Sequence, residues 1–102
     1  MSGLTPEAKI KRKVVEVLKK HKVWYFFPAN NGFGKAGIPD ILCIVNGLFV
    51  GIECKADEKK QPTALQMQCA KQIREAGGYW HLANSDLSIE QIDKWITTWM
   101  KR

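Results

Sequence analysis

Asp40 and the triplet Glu53-Cys54-Lys55 place two carboxylates and an amine thirteen residues apart in the chain. Carboxylate oxygens suit hard divalent cations such as Mg²⁺ or Mn²⁺. A lysine beside them can activate a water or steady negative charge building at phosphorus. Such a set could hydrolyse a phosphodiester.

The elements around these residues predict that they meet. Residues 39–45 and 48–56 are rich in β-branched and apolar side chains and read as strands. Asn46-Gly47 between them is a strong hairpin signal, because both residues tolerate positive φ in a type I′ turn. Centring the turn there pairs Val45 with Leu48 and puts Asp40 opposite Glu53. Opposed residues share a face of the sheet, and side chains alternate along a strand. Asp40, Glu53 and Lys55 are therefore expected on one side. The neighbours Ile41, Leu42, Cys43, Ile44, Val50 and Ile52 make both strands read as central, where charges rarely lack a role. The competing reading is a surface ion pair between Lys55 and an acid.

The remaining elements follow from local signals. Thr5-Pro6-Glu7 opens a helix over about 6–21, with Ile10, Val14, Val17 and Leu18 at helical spacing. Residues 23–27 read as a strand stopped by Pro28. Residues 29–37 read as a mobile glycine-containing loop leading to Asp40. A helix over 63–76 carries Leu65, Cys69 and Ile73 and closes at Gly77-Gly78. A fourth strand covers 79–83. Ser88 and Gln91 resemble a capping box for a last helix reaching about residue 100.

The chain has 102 residues, a net charge of +6 and three cysteines. That length predicts one domain over residues 1–102. The positive charge favours nucleic acid or an anionic surface as partner. No apolar run is long enough to span a bilayer, and no signal core follows the early lysines, so a cytoplasmic protein with no membrane partner is expected. Cys43, Cys54 and Cys69 lack zinc-site spacing and read as reduced core thiols.

The series Gly37-Ile38-Pro39-Asp40, Glu53-Cys54-Lys55, Gln66 and Gly77-Gly78 resembles the PD-(D/E)xK nuclease signature. More narrowly it resembles the stand-alone, often phage-borne, VRR-NUC domains. The resemblance runs from the first helix through the fourth strand. The chain departs from that pattern in reading Ile52-Glu53-Cys54-Lys55-Ala56 with no Val-Arg-Arg triplet. The resemblance implies an α/β fold with a restriction-endonuclease-like core, α-β-β-β-α-β-α around a mixed four-stranded sheet flanked by helices. It implies a Mg²⁺- or Mn²⁺-dependent nuclease with Asp40, Glu53 and the main-chain carbonyl of Cys54 as metal ligands. Similar Holliday-junction resolvases imply branched DNA as substrate, a homodimer, and a glutamate from the first helix. Glu16 is the match chosen for that acid, with Glu7 second and better explained as a first-turn acid. A phage origin would place the protein in a bacterial host cell.

The resemblance also implies that Gln66 faces the site, its competing reading being helix surface. Lys35, Asn30 and Asn31 in the loop before Asp40, with Lys13 on the first helix, are candidate DNA contacts. Glu16 alternatively pairs with Lys13 or Lys20 as a solvated helix acid. His21 and His81 lack metal-ligand spacing. Trp95 and Trp99 read as core or as a dimer interface. Two other functions compete with a junction nuclease: a basic DNA-binding accessory module without activity, and a sequence-specific restriction-type endonuclease. The intact Asp40, Glu53 and Lys55 count against the first, and the short chain against the second.

Overall fold

The computed structural model describes residues 3–29 and 36–101. The order is α1 (Pro6–Lys20), β1 (Trp24–Phe26), β2 (Ile41–Val45), β3 (Leu48–Cys54), α2 (Ala64–Glu75), β4 (Tyr79–Ala83) and α3 (Asp86–Met100). The sheet order is β1-β2-β3-β4, so β2 and β3 are the inner strands. β1/β2 and β2/β3 are antiparallel, and β3/β4 is parallel across the α2 crossover. This is the expected α/β arrangement with a mixed four-stranded sheet. Among the described residues no helix is long and apolar enough to cross a membrane.

Local chemistry sets the element ends. The Thr5 hydroxyl accepts from the Ala8 N–H and Pro6 opens α1, satisfying a free helix N–H where proline has none to offer. Asn46 and Gly47 have φ of 49° and 84°, as a type I′ hairpin turn requires. The register follows: Val45 faces Leu48 and Ile41 faces Ile52.

α3 departs from expectation. Its N-cap is Ser85, and Ser88 sits at the third helical position. The Ser88 hydroxyl accepts from the Ser85 and Asn84 N–H groups. A serine thus does the back-bonding usually given by glutamate or glutamine, and the N-cap lies three residues before Ser88.

One sheet face carries the core. Ile41, Cys43, Val45, Val50, Ile52 and Cys54 bury against Ile10, Val14 and Leu18 of α1 and Ile89, Ile92 and Ile96 of α3. All three cysteines are free and buried. Lys20 and His21 at the end of α1 both bind Asp93 of α3, at 2.5 and 2.6 Å. α2 lies over the opposite face. Beyond it, cross-strand neighbours Trp24, Phe26, Ile44 and Phe49 stay exposed.

Candidate active site

β3 delivers Glu53 and Lys55 to the end of the sheet. Glu53 is a buried charge in an otherwise apolar strand, 2% exposed. Asp40 sits one residue before β2, where its backbone has left the ladder. Its Oδ2 accepts from the Cys54 N–H at 2.8 Å, so the strand after Glu53 fixes the aspartate. The Asp40 carboxyl bears directly on that of Glu53. Lys55 Nζ lies 3.7 Å from Glu53 Oε2. The Lys55 N–H donates to the Ala83 carbonyl at 2.9 Å, holding this residue in line just past β3. The structure therefore brings Asp40, Glu53 and Lys55 together.

Gln66 joins them from the first turn of α2. Its Nε2 donates to Glu53 Oε2 at 2.9 Å. Its Oε1 accepts from the Thr63 N–H at 2.8 Å, closing a capping box. One amide thus caps the helix and holds the carboxylate.

Gly37 explains how α2 comes so close. It has φ +80°, and a Cβ there would stand 2.3 Å from the Leu65 carbonyl oxygen. Only glycine allows both that conformation and that approach. The chain leading to Asp40 presses directly on the turn that presents Gln66.

The electrostatics are those of crowded carboxylates. Burial first, then the Asp40 charge, pushes Glu53 up to about 8. Glu7 adds a smaller push in the same direction, and Lys55 opposes it. With both acids ionised, Glu53 Oε1 is buried with no hydrogen-bond donor. A proton between the two, or a cation, is what this pair needs. The Cys54 thiol is also pushed up, to about 12, mainly by burial. It stays a protonated core group, and its peptide unit is the part that serves the site.

The structure does not bring Glu16 to this cluster. Glu7, itself exposed in the first turn, adds a small electrostatic push on Glu53 and Cys54. Glu16 is exposed and nine residues further on, about 14 Å along the helix and half a turn round. It faces away from the buried stripe of Ile10, Val14 and Leu18. Among the described residues no three Asp, Glu, His or Cys side chains converge as a metal-holding group. Asp40 and Glu53 are the pair that meets, and Glu7 stands nearby.

Lys13, expected at the DNA, bonds Asp86 at 2.8 Å. Lys35, Asn30 and Asn31 lie outside the described residues. Trp95 and Trp99 stack at 5.7 Å beside Tyr79. His81 packs on Trp95, and burial followed by the Arg74 charge drives it down to about 4. These groups lie at the β4 edge, not among the carboxylates.

The chain aligns with a solved structure described as a VRR_NUC domain at a TM-score of 0.74, over 92% of this chain and 97% of that one. The fold is that of a VRR_NUC domain. Sequence identity is 24%, so the likeness carries the architecture, and the chemistry is argued from the side chains. No family model matches the sequence, and no curated protein does. Within this VRR_NUC fold, Asp40, Glu53, Lys55 and Gln66 cluster where β2 begins and β3 ends.

Proposed function

We propose that this chain is a divalent-metal-dependent endodeoxyribonuclease acting on branched DNA. The observation that carries this reading is the buried Glu53 carboxylate set against Asp40, with Lys55 alongside. Charge so placed in a folded core is destabilising unless something binds there. The orphaned Glu53 Oε1 fits a hard cation, and the donor set is all oxygen, as Mg²⁺ or Mn²⁺ prefers. Asp40, Glu53 and the main-chain carbonyl of Cys54 would hold the ion, with Glu7 adding negative charge from the first turn of α1 and not a ligand. Bound there, the ion would supply Lewis acidity to the phosphate and charge for the leaving oxygen.

The chain's own groups do the rest. The Cys54 N–H and the Gln66 amide fix the two carboxylates, so little reorganises when substrate arrives. Lys55 orients the attacking water and donates to the phosphate as its charge grows. The deep position of Glu53 keeps bulk water out of the pair.

Branched DNA and a homodimer belong to the same reading. The described elements all belong to the fold itself, with none added to read bases. The bare sheet face with Trp24, Phe26, Ile44 and Phe49 is apolar surface of the kind that pairs copies, and two copies would supply two cuts. The free thiols suit a reducing, cytoplasmic setting.

The test offers purified protein linear duplex, flap, four-way junction and single strand, with Mg²⁺, Mn²⁺ or EDTA. Metal-dependent cutting of the junction, lost in Asp40→Ala and Glu53→Ala, is expected. Tight binding with no cutting under either metal refutes the enzyme. Cutting at a short sequence in linear duplex favours a restriction-type enzyme.

A further inference from the structure

We infer that Lys11 and Phe27 form a phosphate-holding subsite beside the carboxylate pair, Lys11 contacting a phosphodiester next to the reacting one and Phe27 holding the lysine in place. The inference rests on the nuclease reading for the identity of the substrate, and its placement rests on geometry alone. Lys11 is one turn beyond Glu7 on α1 and borders the buried stripe of Ile10, Val14 and Leu18. Its ring partner lies at the same sheet end: the β1/β2 register sets Phe26 against Leu42, two residues from Asp40, and Phe27 follows Phe26 toward that end. The Lys11 ammonium stands 5.6 Å over the Phe27 ring.

Two features of this pair suit an anion. Lys13 and Lys20 of α1 each meet a carboxylate, while Lys9 and Lys19, like Lys11, meet none among the described residues. Among the described residues Lys11 makes no ion pair, although Glu7 sits at the spacing where a helix readily forms one. Phe27 is 51% exposed and is steadied edge-on by Tyr25 at 5.9 Å. A ring left in water under a lysine keeps its ammonium partly dehydrated and aimed. That leaves the Lys11 ammonium available to neutralise an incoming anion at the end of the sheet where the carboxylates lie.

The geometry also matches a DNA strand. α1 approaches the strand end from the core face, and Gln66 of α2 from the other. A backbone crossing that end with its reacting phosphate at Asp40 and Glu53 would carry a neighbouring phosphate toward α1. Opposite charge there adds affinity and positions the strand without reading its sequence.

The test uses the full chain with Lys11→Gln, Lys11→Arg and Phe27→Leu. Binding of a labelled four-way junction is followed by anisotropy in EDTA across a salt series, and cleavage is followed in Mg²⁺. Lys11→Gln should weaken binding about tenfold and lower the slope against log salt by about 0.9. Its cleavage loss should fall mainly on KM, Lys11→Arg should restore binding, and Phe27→Leu should lie between. Unchanged affinity and slope in Lys11→Gln overturns the inference, while wild-type cleavage still upholds the nuclease. If wild type binds but does not cut, the nuclease reading fails and the EDTA series still decides on Lys11.

Discussion

The Gln66 amide donates to Glu53 Oε2 at 2.9 Å while its oxygen closes the N-terminal cap of α2. Removing it should therefore do two things. Gln66→Ala should lower Tm by roughly 4–8 °C, for a cap worth about 1 kcal/mol in a domain of this size. It should also slow cleavage, since Glu53 loses its fixed donor. Gln66→Glu separates the effects, because glutamate keeps the capping box yet sets a like charge against Glu53. Thermal melts should place Gln66→Glu nearer wild type than Gln66→Ala, with activity lost in both.

Lys55→Met should reduce kcat by about 10²–10⁴ and leave junction binding within a few-fold, because its work falls in the transition state. Single-turnover cleavage with anisotropy in parallel checks this. A loss confined to KM would move Lys55 out of the chemistry.

Glu7 and Glu16 give opposite expectations. Glu7→Gln should depress metal-dependent cleavage and weaken the apparent Mg²⁺ affinity. Glu16→Gln should match wild type in both, its side chain being exposed on the far side of α1. Activity titrated against Mg²⁺ for the two variants decides between them.

The raised pKa of Glu53 gives stability a definite pH sign. The carboxyl goes from an ordinary 4.5 to about 8 in the fold, mainly through burial. The folded state thus holds its proton more tightly than the unfolded one. Metal-free protein should be most stable below about 4.5 as far as this group is concerned, and should lose stability as pH rises toward 8. Glu53→Gln should flatten that fall. Mg²⁺ should raise Tm more at pH 8.5 than at pH 6, since it replaces a proton at low pH and relieves bare charge at high pH. Melts in EDTA and in Mg²⁺ at the two values test both parts.

His81 has the reverse slope. Burial and Arg74 drive it from 6.5 to about 4, so the fold favours the neutral ring. Its contribution is whole above pH 6.5 and is lost as pH falls through about 4. His81→Phe should reduce the acid sensitivity of urea unfolding between pH 6.5 and 4.

Much of this was readable in the chain because short-range chemistry dictates it. Asn46-Gly47 fixes the hairpin register, and register fixes which charges meet. The role of Gln66 was readable only by resemblance: its hydrogen bond to Thr63 is a local cap, but its hydrogen bond to Glu53 joins α2 to β3. Where the helix acids fall was not legible, for a physical reason. Periodicity shows which stripe of α1 is buried, but not how far along its length the sheet end falls. The stripe of Ile10 and Val14 runs N-terminally to Glu7, and the opposite phase of Glu16 was a usable signal. The α3 start was missed because a serine at its third position does a glutamine's work. Lys13 read as a DNA contact because its partner, Asp86, is seventy-three residues away.

Gly37 ties these parts into one mechanical unit. Its missing side chain lets the segment before Asp40 rest on the Leu65 carbonyl, so neither the aspartate nor the helix bearing Gln66 can shift alone. Alignment of the carboxylates is then inherited from a backbone contact and not adjusted side chain by side chain. A single methyl at position 37 would act as a wedge, parting an aspartate from a glutamine that never touch it.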